Sequence, residues 1–149
     1  MLDGLVFHEI VSLAFFVPVI NAMGGNVAMQ SSSIAVRGLA LGAGAYRAIG
    51  RQVLKEFLVS VLNGLVCGVI MGLVVLVWLR EGWLALLIGG SLMCVILIST
   101  TVGALVPILF DRLKIDPALA TGPFVTTAND VLGILVYLSM AEIIIPKVR

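Results

Sequence analysis

Polar and charged positions in this chain are gathered into a few clusters, and long apolar stretches run between them. No charged residue occurs from Ile10 to Val36, from Phe57 to Leu79, from Gly82 to Phe110, or from Pro117 to Asn129. Three of these runs are long enough to cross a hydrocarbon core of roughly 30 Å as helices. The fourth gains the length if Asp130 is tolerated within it, since apolar sequence resumes to Ala141. The pattern predicts membrane helices over approximately 5–34, 46–79, 84–110 and 119–145. A transmembrane barrel would show alternation in segments of about ten residues instead.

Details inside each run refine this outline. Pro18 is placed to kink the first segment. That segment then enters a polar, small-residue stretch containing Asn21, Gly24, Gly25, Asn26, Gln30 and Ser31 to Ser33. Irregular backbone facing lipid would be costly at that depth. The stretch therefore faces protein or water, or it stays helical with its polar residues on a protected side. In the second segment Gly64, Gly68 and Gly72 follow one another at four-residue spacing, a small-residue pattern for close helix packing. Trp78 and Trp83 flank the turn at Arg80-Glu81-Gly82, as interfacial aromatics do. The Gly-rich and basic segment from Arg37 to Glu56 reads as a cytoplasmic helical hairpin making ordinary headgroup contacts. The alternative is an amphipathic interfacial helix from Tyr46, with Arg47, Arg51 and Lys55 along one face.

Composition agrees with this outline. The 149 residues are 61% hydrophobic and 11% charged, and the mean hydropathy is +1.22. That leaves too little charge to coat a soluble domain. The chain reads as an all-α, polytopic helical membrane protein. No basic tract with interleaved aromatics supports nucleic-acid binding. Cys67 and Cys94 lie inside apolar runs, where a thiol behaves as a small hydrophobe. The N-terminus lacks the basic flank of a signal peptide.

Loop charges predict a topology. Arg37, Arg47, Arg51 and Lys55 lie between segments one and two, and Arg112 and Lys114 between three and four. The intervening turn has Arg80, and the tail has Lys147 and Arg149. The basic loops are assigned to the cytoplasm of a cell inner (plasma) membrane, with both ends outside. That arrangement is awkward for a complete protein. It becomes natural if a further helix precedes this segment.

Enzyme signatures are lacking. Ser31 to Ser33 have no nucleophile-elbow context, His8 is the sole histidine, and Gly24-Gly25 has no partner lysine of a phosphate loop. The chemistry at membrane depth centres on Asp130. A carboxylate there is expensive and rarely idle. Three readings follow: an acid that carries protons, a structural group bonded to Asn or Ser on a neighbour, or an acid facing an aqueous pore and attracting a cation. Surrounding oxygen and amide groups favour a hard ion such as Mg²⁺ over Zn²⁺ or Cu²⁺. One carboxylate is poor coordination for a bare divalent ion. Two copies facing each other across a twofold axis would suit an ion that keeps its inner water shell. Thr126 lies one turn before Asp130 on the same face. Asn129 and Val131 point elsewhere, and Gly133 allows close packing.

Two stretches resemble a known family. Pro18-Val-Ile-Asn-Ala-Met-Gly-Gly-Asn-Val-Ala-Met-Gln-Ser with Ile34-Ala-Val-Arg-Gly-Leu-Ala-Leu-Gly42 is similar to the second transmembrane region of the MgtE magnesium transporters. Asp116-Pro-Ala through Gly122-Pro-Phe-Val-Thr-Thr-Ala-Asn-Asp-Val-Leu-Gly133 is similar to their last helix. The resemblance covers essentially the whole chain. It implies a homodimeric, channel-like Mg²⁺ transporter in the lipid bilayer, with its pore on the dimer axis between the second and fifth helices of each subunit.

By the same resemblance, the acid matching Asp130 binds the transported Mg²⁺, and Thr126 contributes near it. Gly122 matches a further pore position that is asparagine in some members. Asn21, Gly24, Gly25, Asn26, Gln30, Ser31, Asn129 and Gly133 match pore-lining or signature positions. Glu56 matches a region of secondary ion contacts on the cytoplasmic side. Members typically carry a cytosolic domain, paired CBS domains and a first transmembrane helix ahead of the region matched here. The resemblance therefore implies that an upstream or separate chain supplies those parts. The alternatives are a membrane subunit that does not conduct alone and a proton-coupled cation carrier.

Overall fold

The computed structural model describes residues 2–41, 46–119 and 122–148. Four long helices carry the fold: α1 (Leu2–Ala40), α2 (Tyr46–Leu79), α3 (Gly82–Arg112) and α4 (Pro123–Val148). A 3-10 turn at Pro117–Leu119 precedes the last helix. The helices contain spans at Leu13–Ala40, Gly50–Leu79, Gly82–Arg112 and Pro123–Ile145 that are long and apolar enough to cross a membrane. No strand occurs among the described residues. The chain is an all-α, multi-pass membrane protein.

The expected cytoplasmic hairpin over 37–56 is not found among the described residues. Helix α1 continues past Arg37 to Ala40, and α2 starts at Tyr46 and runs unbroken through Arg51, Lys55 and Glu56 into its apolar span. The physical reason is the lack of a breaker. No proline occurs between Tyr46 and Leu79, and a single glycine such as Gly50 weakens a helix without ending it. The basic residues thus begin a membrane helix rather than forming an arm of their own.

Two boundaries also differ from the sequence expectation. Helix α1 keeps the polar stretch from Gly24 to Ser33 helical and runs on past 34 to Ala40, where no proline ends it. Its backbone groups then bond within the segment, as membrane depth demands. Helix α4 begins at Pro123 rather than 119. Proline suits a first helical position, where its missing N–H has no intrahelical acceptor anyway. Gly122 just before it has φ +104°, a conformation open chiefly to glycine.

Helix α3 is the centre of the bundle and touches α1, α2 and α4. It is buried along much of its length, with Leu84, Leu87, Ile88, Leu92, Val95 and Ile96 all inside. Two of its glycines admit neighbouring backbones. A Cβ on Gly89 would lie 2.5 Å from the Gly68 carbonyl oxygen on α2, and one on Gly103 would overlap the Ala28 carbonyl on α1. Polar bonds supplement this packing. The Ser31 hydroxyl donates to the Thr100 carbonyl at 2.8 Å, and the Thr100 hydroxyl meets the Ser60 hydroxyl at 2.5 Å. Such contacts matter here because lipid tails are as apolar as leucine and give helices little hydrophobic reason to associate. The outer face of α2 exposes Leu58, Leu62, Leu65, Val69 and Leu73, which fits a lipid-facing surface.

Candidate functional site

Helix α4 has a buried stripe at four-residue spacing: Val125, Asn129, Gly133, Tyr137 and Ala141. Tyr137 anchors it by donating from its hydroxyl to the Leu13 carbonyl at 3.0 Å. Consecutive helical residues stand about 100° apart around the axis. Asp130 therefore falls off the stripe and is exposed, while Asn129 beside it is 2% exposed. Counted from Pro123, Asp130 lies about 10 Å into the helix.

Thr126, one turn earlier, is half-buried. Its hydroxyl donates to the Gly122 carbonyl at 2.8 Å, and the same carbonyl accepts the Thr126 amide at 2.9 Å. With its proton committed to the helix start, the hydroxyl oxygen keeps only acceptor capacity. An oxygen that accepts but does not donate suits the water shell of a cation. Gly122 is half-buried, with open space where a Cβ would stand.

Helix α1 shows a similar division. Gly24, Ala28, Ser31 and Ser32 are buried, whereas Asn26, Gln30 and Ser33 are exposed. Asn21 and Gly25 are half-buried. The structure brings Asn21, Gly24, Asn129 and Gly133 together. Asn129 accepts from the Ser99 hydroxyl on α3 at 2.5 Å and donates from Nδ2 to the Asn21 carbonyl at 3.3 Å. Asn21 Oδ1 lies where it would be 2.7 Å from a Cβ on Gly133. Ser31 is tied inward to α3. Among the signature residues, Ser31, Asn129, Gly24 and Gly133 thus stand inside the subunit rather than on its outward face. Glu56 is not brought to this group: it is half-buried on α2, which makes no contact with α4 among the described residues.

Ser99 is the participant that the sequence did not single out; the run Ser99-Thr100-Thr101 inside an apolar segment was the available signal. No group of three or more His, Cys, Asp or Glu gathers among the described residues. Both cysteines are free and half-buried.

A family model for MgtE, described as a divalent cation transporter, matches residues 17–140. The magnesium transporter MgtE of Bacillus subtilis is 37% identical over 133 residues, covering 89% of this chain and 30% of the relative. That of Enterococcus faecalis is 38% identical over 130 residues, covering 87% of this chain and 29% of the relative. The Thermus thermophilus protein of the same name is 38% identical over 144 residues, covering 96% of this chain and 32% of the relative. The chain thus spans about a third of the length of the curated relatives it matches. On these matches, with the four apolar helices and the divided faces of α1 and α4, the chain belongs to the MgtE family, a family of divalent cation transporters rather than enzymes.

Proposed function

We propose that this chain forms the membrane part of a Mg²⁺ conduit in the plasma membrane, with Asp130 as the acid that attracts the passing ion. The observation that carries this reading is the exposure of Asp130 about 10 Å inside an apolar helix. A carboxylate at that depth is costly unless it meets water, a partner or a cation. No lysine or arginine lies within the apolar runs to neutralise it. The named relatives are magnesium transporters, which supports Mg²⁺ as the substrate.

The outward faces support a homodimer. Asn26, Gln30 and Ser33 on α1 and Thr127 and Asp130 on α4 are exposed on a single copy. Lipid would be a poor solvent for them. A second copy related by a twofold axis would turn both polar faces toward a shared aqueous path. Two Asp130 carboxylates would then neutralise one divalent charge. Because Mg²⁺ sheds water reluctantly, the carboxylates, the Thr126 oxygen and the amides of Asn26 and Gln30 act on the hydrated ion. The Gly122 position widens the entrance by presenting no side chain. Glu56, on the basic start of α2, serves as a secondary contact at the cytoplasmic side.

The test is Mg²⁺ uptake into liposomes containing the purified chain and a trapped Mg²⁺-sensitive dye. Passive conduction predicts uptake that follows the Mg²⁺ gradient and membrane potential. Uptake driven by an imposed pH gradient would instead indicate a proton-coupled carrier. Uptake that needs a second polypeptide with the remaining regions of the relatives would make this chain a subunit.

A further inference from the structure

We infer that Asn129 is a positioning residue that sets the rotation of α4 about its own axis and so aims Asp130. This inference rests on the reading of Asp130 as an ion-facing acid. Asn129 is the buried carboxamide of a helix whose other inward residues are Val125, Gly133, Tyr137 and Ala141; of these Tyr137 also bonds α1, one turn or more away from Asp130, whereas Asn129 is next to it. Its carboxamide bonds to two different helices. Oδ1 accepts from Ser99 on α3, and Nδ2 donates to the Asn21 carbonyl on α1. A planar amide held at both ends defines an angle, which a greasy contact does not.

The surroundings are cut to fit this group. A Cβ on Gly24 would stand 2.9 Å from both Asn129 Oδ1 and Ser99 Oγ, so glycine leaves room for the bond between them. Gly133 does the same for the Asn21 side chain, at 2.7 Å. Apolar contacts between helices have no preferred direction, whereas a hydrogen bond does. Side-chain tips of a helix lie at a radius of about 5–6 Å, so a rotation of about 30° sweeps one through about 3 Å. That displacement is as long as a hydrogen bond. Asp130 is the next residue, and it moves with Asn129 as one body. A single buried polar contact that fixes register is an attested use of such groups.

Two observations separate this role from plain stability. A core that needed only volume would be served by leucine or methionine at position 129. Instead the amide costs burial of a polar group and needs a glycine, Gly24, on the facing helix. Its partners also lie on the two helices between which α4 must be oriented.

The test uses the full chain in proteoliposomes. A water-soluble carbodiimide with an amine nucleophile modifies exposed carboxyls, and peptide mass spectrometry follows modification at Asp130 as Mg²⁺ is titrated. Mg²⁺ bound near Asp130 protects it. Ser99→Ala removes one bond to Asn129 with little change in volume. It raises the half-protecting Mg²⁺ concentration about threefold, the scale of one interhelical hydrogen bond in a membrane. Ser99→Thr keeps the hydroxyl and matches the unaltered chain. Asn129→Leu abolishes protection. Protection by Ser99→Ala and Asn129→Leu at the unaltered concentration overturns the positioning role. So does an equal rise in Ser99→Ala and Ser99→Thr, which marks lost packing instead. An unaltered chain that Mg²⁺ never protects overturns the ion-facing reading of Asp130 itself.

Discussion

Gly68 on α2 and Gly89 on α3 face each other so closely that a Cβ built on either would stand 2.7 or 2.5 Å from the other's carbonyl oxygen. The obstacle on each side is backbone, which cannot swing aside like a side chain. Gly89→Ala must therefore push the two helices apart, at a cost of about 1–3 kcal/mol by analogy with overpacked cores. Gly50→Ala, where a Cβ meets nothing within 4 Å, is the control. Thermal unfolding in detergent checks both: Gly89→Ala lowers the midpoint, and Gly50→Ala leaves it level or raises it by the better helix propensity of alanine.

Thr100 joins three helices through one residue. Its carbonyl accepts from Ser31 on α1, and its hydroxyl meets Ser60 on α2 while also bonding the Ile96 carbonyl. Thr100→Val keeps the shape and the Ser31 bond but strips the hydroxyl from Ser60. Interhelical hydrogen bonds of this kind are worth about 0.6 kcal/mol on average in membranes. The expected loss is thus smaller than for Gly89→Ala. Unfolding measurements that rank Thr100→Val as the more damaging of the two would contradict this ordering of packing over hydrogen bonding.

Thr126 offers a test of chemistry rather than stability. Thr126→Val has nearly the same shape but no acceptor oxygen. It should raise the Mg²⁺ concentration for half-maximal uptake several-fold, while Thr126→Ser, with its hydroxyl in place, stays near the unaltered value. The expected size is about fivefold, one lost hydrogen bond to the ion's water. Equal uptake curves for all three chains would remove Thr126 from the ion path.

Gly122 separates a backbone requirement from a ligand requirement. Its φ of +104° is unfavourable for any residue with a Cβ. Gly122→Ala should destabilise the start of α4 by about 1–2 kcal/mol, although no neighbour stands within 4 Å of the added atom. Amide hydrogen exchange at Thr126, whose N–H bonds the Gly122 carbonyl, reads this directly: exchange quickens in the variant if the strain is real.

The membrane helices were legible because charge is excluded from long runs, and a bilayer enforces that rule without help from tertiary structure. The start of α2 was harder. Arg51 and Lys55 at four-residue spacing look the same on a separate amphipathic arm and on the first turns of a longer helix. The deciding signal was negative, the missing proline between Tyr46 and Leu79. That Asn129 and Asp130 face different ways followed from a 100° step, but which of the two faces inward did not. The partners of Asn129 did not, because Ser99 and Asn21 are 30 and 108 residues away in sequence. Each of the three helices carries several small polar residues, and periodicity alone does not pair them. Gly24 and Gly133 were visible as glycines, but their reason, room for a carboxamide and its neighbour, needed the packed helices.

Removing the Asp130 carboxylate tests most directly whether this residue carries the ion. Mg²⁺ uptake should be measured in liposomes holding the unaltered chain or Asp130→Ala at equal protein density, with any further polypeptide needed for activity present in both. Uptake is expected with the unaltered chain and none above empty liposomes with Asp130→Ala, although the variant inserts and folds normally. Undiminished uptake by Asp130→Ala would contradict that role.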